Sequence, residues 1–125
     1  MAITYVIEQG VLRTTVDASF ALAEVFAYRQ ALLTDPAYRP GMRSLVDCRT
    51  VTTLPDAEQL RALAQDIGMR EPALQRARCA VVVGSDAAYG LLRMYAVYTE
   101  TEASPVTVRG FRELEAALQW LDQSA

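Results

Sequence analysis

Runs of β-branched residues alternate along this chain with longer segments in which apolar residues recur at helical spacing. Residues 3–8 and 11–17 flank Gln9-Gly10 and predict a hairpin with a tight turn. Beyond the hairpin, the pattern predicts helices at 20–33, 56–69, 86–99 and 111–122, and strands at 42–48, 77–84 and 105–110. The order β-β-α-β-α-β-α-β-α predicts a single α/β domain over residues 1–125, with a five-stranded, mostly parallel mixed sheet and four helices.

Caps and helix-breaking residues mark the predicted helix ends. Ser19 is the expected N-cap of the first helix, and the spacing of Thr53 and Asp56 fits a capping box before the second. Gly68 and Pro72 bracket the expected end of the second helix. The core-facing stripes are expected at Leu22, Val25, Phe26, Arg29 and Leu33 in the first helix and at Phe111, Leu114, Leu118 and Leu121 in the last.

The predicted helix 86–99 is apolar around nearly its whole circumference, and Arg93 is the clearly polar residue in its middle. A helix lying on a sheet needs one apolar stripe, so the extra apolar face needs cover from loops, a second subunit or a partner. Gly90 is unfavourable inside a helix, which suggests the close approach of another backbone or of a ligand. The interface residues that we expect are Tyr89, Gly90, Met94, Tyr95 and Tyr98.

Composition excludes several classes of function. The chain has 125 residues, of which 52% are hydrophobic and 22% charged, as in an ordinary globular domain. Its net charge of −3 gives no electrostatic footprint for nucleic acid. No apolar stretch reaches the roughly 20 residues of a membrane span, and the N-terminal residues lack the pattern of a signal peptide. We therefore expect a cytoplasmic protein that neither inserts into membranes nor binds nucleic acid.

The residue types present limit the chemistry further. The chain contains no lysine, histidine or asparagine, which excludes a P-loop lysine, a lysine Schiff base, a Ser-His-Asp triad and a histidine metal site. We expect no catalytic residue, metal or cofactor. Cys48 ends one predicted strand and Cys79 begins another. Aligned parallel strands would separate them by about five residues, or ~16 Å, so we expect buried free thiols rather than a disulfide.

Candidate ligand-binding residues lie where the predicted parallel strands end: Asp47, Arg49, Ser85, Asp86 and Arg109. Ligands of open α/β sheets bind outside the carboxyl ends of the strands, and arginines beside a helix N-terminus suit an anion. The alternative is structural, with the aspartates ion-paired to the arginines and Ser85 capping a helix. Asp47 and Asp86 would also suit an acid/base pair, which would make the protein an enzyme.

Three segments carry a resemblance to a known family: LVDCRTVTTLPDAEQL at 45–60, GSDAAYGLLRMY at 84–95 and VRGFRELEAALQWL at 108–121. With the element order, they resemble the STAS domain, the SpoIIAA-like fold of bacterial anti-anti-sigma factors, and in particular its small stand-alone members. In that family a phosphorylated serine opens the second helix. This chain has Asp56 and Ala57 there, so the resemblance does not include the phosphorylation switch; Thr52 and Thr53 are nearby hydroxyls.

The resemblance and the apolar helix together favour a non-enzymatic interaction or regulatory module. It would act through helix 86–99 and the loops around Asp56, as a homodimer or with another protein. The alternative is a carrier or sensor that holds a small lipid-like or anionic molecule near Arg49, Ser85 and Arg109. A carrier predicts an apolar cavity beside helix 86–99, and a filled core would argue against it.

Overall fold

The computed structural model describes residues 3–19, 21–39, 41–70, 77–101 and 106–123 of the chain. Within these ranges, five strands and four helices follow one another in the predicted order. The strands are β1 (Ile3–Glu8), β2 (Val11–Ser19), β3 (Arg43–Thr53), β4 (Ala77–Val83) and β5 (Val106–Phe111), and the helices are α1 (Leu22–Leu33), α2 (Ala57–Arg70), α3 (Asp86–Thr101) and α4 (Leu114–Asp122). None of the helices in the described ranges is long and apolar enough to cross a bilayer.

The strands form one sheet in the order β1-β2-β3-β4-β5, in which β1 is antiparallel to β2 and all other neighbours are parallel. Gln9 and Gly10 both have positive φ, 54° and 77°, as a two-residue hairpin turn of type I′ requires. Connections of one hand between consecutive parallel strands place α1, α2 and α3 on one face. The last helix, α4, packs on the other face. The predicted α/β fold with a five-stranded mixed sheet is confirmed.

Strand β3 runs on to Thr53, beyond its predicted end at residue 48. The extension exists because β2 also continues, to Ser19, and keeps pairing with β3 after two register shifts. Asp17 lies opposite Thr50 in this second half of the pair. Cys48 consequently lies inside β3 and not at its end, and the predicted loop after residue 48 is shorter than expected.

The helix caps differ from the predicted ones. α1 has Ala21 as its N-cap with no side-chain hydrogen bond, because Ser19 belongs to β2. At α2, a reciprocal capping box joins Asp56 to Gln59, and Thr53 takes no part in it because it ends β3. Gln59 N donates to Asp56 Oδ1 over 2.8 Å, and Asp56 N donates to Gln59 Oε1 over 2.9 Å.

Two helix ends also differ. α2 continues through Gly68 to Arg70, and the second predicted breaker, Pro72, lies outside the described residues. α4 begins after its predicted start, because Phe111 ends β5 and Glu113 is the N-cap of the helix.

The predicted core-facing residues of α1 and α4 are buried or half-buried, except for one residue in each helix. Leu33 is 46% exposed and Leu118 is 40% exposed, although the predicted stripes place both inside. The neighbouring Leu32 and Ala117 are buried instead.

Helix α4 packs tightly against the middle of the sheet. Its core cluster, which we call the packed face, consists of Leu45, Ala80, Val82, Ala117 and Leu121. The exposed fractions of these five side chains lie between 0% and 4%. The centre of this side of the sheet is therefore a compact hydrophobic core beneath α4.

Candidate functional site

A cavity of about 250 Å³ lies between the sheet and the three helices α1, α2 and α3. We call it the inner cavity. Several sheet side chains beneath the helices remain half-buried, among them Val46, Cys48 and Val81, although central strands covered by helices normally bury such residues completely. The cavity therefore lies within the hydrophobic cluster of this face, beside Leu60, Leu92 and Tyr95.

The floor of the inner cavity follows from strand alternation, which turns every second side chain toward the helices. The floor residues of the three central strands include Thr14 from β2, Ser44, Val46 and Cys48 from β3, and Cys79 and Val81 from β4. The register aligns them in rows, since Ser44 lies opposite Cys79 and Val46 lies opposite Val81.

One end of the inner cavity is apolar. It lies over β4 and β5, where Leu60 and Leu63 of α2 meet Leu92 and Tyr95 of α3. Gly110 of β5 allows α3 to pack close to this strand, because a Cβ at residue 110 would lie 2.6 Å from Leu92 Cδ2. The apolar cavity that a carrier would need beside helix 86–99 is therefore present.

The other end of the inner cavity is polar and lies over β2 and β3, beneath α1. Thr14 Oγ1 and Tyr28 Oη share a hydrogen bond of 2.6 Å. Burial raises the pKa of Tyr28 to about 12, so its hydroxyl stays protonated at neutral pH. Burial also raises the pKa of Cys79, and the Ser44 hydrogen bond and the positive charge of Arg29 act against that rise. Arg29 itself lines the cavity.

Arg29 connects α1 to α2 at this polar end. Its Nε lies 3.7 Å from Asp66 Oδ2, and the two side chains are only 14% and 17% exposed. A buried guanidinium with a carboxylate nearby avoids most of the cost of an isolated buried charge. The pair thus keeps a positive charge at the edge of an otherwise apolar interior.

The two cysteines are free, as predicted. Cys79 lies opposite Ser44, four residues before Cys48 on the neighbouring strand, so the two thiols are about 13 Å apart along the sheet. Burial raises the pKa of Cys48 to about 12. Burial thus favours the protonated form of both thiols at neutral pH.

The residues predicted to bind a ligand at the strand ends lie apart from the inner cavity. Arg49 donates from Nε and Nη2 to the Asp47 carboxylate over 3.0 Å and 2.8 Å. The hydrogen bonds from the Arg49 side chain hold the pKa of Asp47 below its usual range. This pair borders a polar depression of about 310 Å³ on the opposite face of the sheet, over β1 to β3.

The other three predicted ligand-binding residues have three different surroundings. Ser85 Oγ accepts a hydrogen bond of 3.1 Å from Ala88 N, so the expected helix cap is confirmed. Asp86 is ion-paired to Arg112 at the surface. The Arg109 guanidinium lies 5.4 Å from the centre of the Phe111 ring. The five residues do not form one cluster, and a ligand role for them stays a prediction.

The start of α2 is the position where STAS domains carry a phosphorylated serine. In this chain its residues form a helix cap. Asp56 caps α2, and Ala57 is the exposed first residue of that helix. Thr52 and Thr53 are the last two residues of β3, and both are exposed.

Helix α3 places the predicted interface residues on two different sides. Tyr95 is 8% exposed and faces the inner cavity, so it lies in the core and not on the surface as predicted. Tyr89 and Tyr98 are half-buried, and the Arg61 guanidinium lies 4.9 Å from the centre of the Tyr98 ring. Gly90 faces open space, so within the described residues no backbone approaches it closely.

The outer side of α3 carries exposed apolar side chains. Val97 is 57% exposed and Met94 is 39% exposed. Gly90 lies one turn before Met94 on the same exposed side. Of the five predicted interface residues, Met94 and Gly90 are thus the ones placed at the surface.

Sequence reasoning missed the polar end of the inner cavity, which is formed by Thr14, Tyr28, Arg29 and Ser44. One signal was present in the sequence. Arg29 stands within the apolar stripe predicted for the first helix, and a charged residue in such a stripe marks a buried position with a special role.

Comparison with known proteins gives a likeness of fold. No protein-family model matches this sequence, and no curated protein matches it. Among solved structures, the chain is similar to an uncharacterized protein of the DUF3478 family with a SpoIIAA-like fold, from Shewanella loihica PV-4. The TM-score is 0.58 at 16% sequence identity, over 96% of this chain and 92% of that one. The expected SpoIIAA-like fold is confirmed.

Proposed function

We propose that this protein binds a small apolar or amphipathic molecule in the inner cavity and acts as a carrier or sensor for it. The observation that carries the proposal is the cavity itself, which lies between the sheet and α1 to α3. The carrier hypothesis drawn from the sequence placed the ligand near Arg49, Ser85 and Arg109, whereas we place it in the inner cavity.

The size of the inner cavity distinguishes it from an ordinary packing defect. Protein interiors are close-packed, with few voids larger than a water molecule. At about 250 Å³, this cavity equals the liquid volume of about eight water molecules at roughly 30 Å³ each. Most of its walls are apolar, so water gains few hydrogen bonds there, whereas an apolar ligand would gain the missing dispersion contacts.

The groups around the inner cavity suit binding rather than catalysis. None of the described residues that line it is a carboxylate. Tyr28 and Cys48 stay neutral, since burial raises the pKa of each to about 12. The two aspartates considered as an acid/base pair, Asp47 and Asp86, are each ion-paired to a different arginine. These features support a non-enzymatic role.

A titration with 1-octanol, followed by NMR of the backbone amides, tests the proposal. We expect saturable shifts at Val81 and Leu92 and none at Val82 of the packed face. Ala88→Leu occupies part of the apolar end of the cavity and should weaken the shifts, whereas the matched change Ala87→Leu, at an exposed position of the same helix, should leave them. Octanol that does not bind, or that binds equally to Ala88→Leu, would contradict the proposal.

A second candidate function is protein interaction, as a homodimer, through the outer side of α3. It is supported by the exposed apolar side chains of Met94 and Val97. Sedimentation of the wild type over a range of concentrations tests it. A dimer that dissociates in Val97→Asp, but persists in Ala116→Asp on exposed α4 surface, would support it. A wild type that is monomeric throughout would refute self-association.

A further inference from the structure

Arg29 gives the inner cavity one charged wall. Among the described residues that line the cavity, it is the one that carries a charge at neutral pH. A charge beside an apolar space is costly unless hydrogen bonds and an opposite charge compensate it. A ligand with an anionic group at this wall would add such compensation. A purely apolar ligand would remove water from the guanidinium without replacing its hydrogen bonds.

Arg29 lies beside Asp66 at the edge of the inner cavity. The Nε to Oδ2 distance of 3.7 Å is longer than the usual hydrogen-bond range. A guanidinium presents five N–H donors in a planar fork, so it can serve two carboxylates at once. In this arrangement Asp66 is a positioning residue that holds the guanidinium at the cavity edge.

Hydroxyl groups of two other residues that line the inner cavity provide further donors. Thr14 and Tyr28 share a single hydrogen bond of 2.6 Å, so one of the two hydroxyl protons is left for another acceptor. Both residues line the cavity. An acceptor-only group such as a carboxylate fits this set, because it takes hydrogen bonds from a guanidinium and a hydroxyl together.

The polar and apolar ends of the inner cavity are separated in the direction perpendicular to the strands. The polar end lies over β2 and β3 and the apolar end over β4 and β5, which spans about three strand spacings, or roughly 14 Å. We propose that the ligand is a monocarboxylic acid with a short apolar tail, whose carboxylate binds Arg29 and whose tail lies against Leu92 and Tyr95. This inference rests on the proposed function and adds the class of ligand and its orientation.

Parallel titrations with octanoate and 1-octanol test the inference, because the two probes share a tail and differ in the head group. The wild type should bind octanoate more tightly than octanol. Arg29→Met should weaken octanoate by about tenfold or more, the loss expected when charge-assisted hydrogen bonds are removed, and should leave octanol within about twofold. Arg93→Met, at an exposed arginine of α3 outside the cavity, is the matched control and should change neither affinity.

The outcomes separate the two proposals. Binding of octanol with no binding of octanoate, or octanoate affinity unchanged in Arg29→Met, overturns the head-group inference and leaves the proposed function standing. Binding of neither probe overturns both. If Arg29→Met does not fold, octanoate labelled with ¹³C at the carboxyl is titrated in the wild-type complex. A carboxyl pKa lowered by binding supports the contact with Arg29, and a raised one contradicts it.

Discussion

The two faces of the sheet are built from neighbouring residues of the same strands and are packed in opposite ways. On one face, α4 covers Leu45 and Val82 completely. On the other, three helices cover a cavity of about 250 Å³, and Val81, next in sequence to Val82, remains half-buried. Since both faces share one backbone, the cavity arises from how α1 to α3 lie over the sheet and not from a deficient strand sequence.

The difference indicates that the packed face mainly stabilises the fold and that the face with the inner cavity offers a place for a ligand. The packed face has no titratable residue in its buried cluster of described residues, whereas the inner cavity is lined by Tyr28, Arg29 and two thiols. A face that is full stabilises the fold, and a face that is incomplete offers contacts to a ligand.

The largest expected effect comes from truncating the two adjacent valines of β4. Val82→Ala should lower the free energy of unfolding by about 2–3 kcal/mol, because it leaves a new void in a filled core. Val81→Ala should cost about 1 kcal/mol or less, because its side chain already borders empty space. Urea denaturation of both variants without added ligand measures the difference. Equal losses would mean that both faces are packed alike.

Replacing an alanine on each face by the larger leucine tests the same contrast by adding volume instead of removing it. Ala117→Leu overfills the packed face and should destabilise by about 1–3 kcal/mol. Ala88→Leu enters the inner cavity and should change stability by less than about 1 kcal/mol in either direction, because the added methyl groups replace empty space. Thermal or urea unfolding tests the pair. A large loss in Ala88→Leu would show that the space beside α3 is not free.

Alkaline pH should affect the inner cavity selectively. The thiol pKa of Cys48 rises from 9.0 to about 12 in the folded protein, and that of the Tyr28 hydroxyl rises from 10.0 to about 12. The unfolded chain therefore releases these protons first, and stability is complete below pH 9 and falls as the pH rises toward about 12. Each group should contribute a slope of up to about 1.4 kcal/mol per pH unit.

Unfolding measured between pH 8 and pH 11 tests this dependence. Cys48→Val should reduce the part of the decline that begins near the usual thiol pKa of 9.0, and Cys79, whose pKa is also raised by burial, should account for the remainder. Tyr28→Phe should remove the part that begins near 10.0. If neither variant alters the slope, the cavity does not exclude solvent from these groups in the way the structure indicates.

The smallest effect concerns how the helices of the two faces begin. Asp56→Ala removes the capping box of α2 and should cost about 1 kcal/mol. Glu113→Ala at the N-cap of α4, which makes no side-chain cap hydrogen bond, should change stability by less than about 0.5 kcal/mol. Urea unfolding of the two variants compares them, and similar losses would contradict the assignment of the cap.

Local periodicity was enough to predict the order of elements, the hairpin at Gln9-Gly10 and the pairing of parallel strands. It was not enough for the end of β3, because the extension to Thr53 depends on register shifts against β2. The cap expected at Ser19 was wrong for the same reason. Element boundaries are set by tertiary pairing, which a single segment does not encode.

The candidate site was harder to predict than the fold. An apolar cavity beside α3 followed from the carrier hypothesis, and the one observed lies on the side of the helix that faces the sheet. Its polar end could not be predicted, because Arg29 and Tyr28 meet Thr14 only through the packing of α1 on the sheet. The strand-end residues Asp47 and Arg49 had the right chemistry for an anion, but they face the opposite side and bind each other.

Diffraction from a wild-type crystal pressurised with xenon tests the contrast between the two faces most directly. Xenon occupies dry apolar cavities and finds no place in a filled core. We predict xenon between β4 and α3, near Val81 and Leu92, and none beside Ala80 and Ala117 of the packed face. An inner face without xenon, with α1 to α3 closed down on the sheet, would contradict the account.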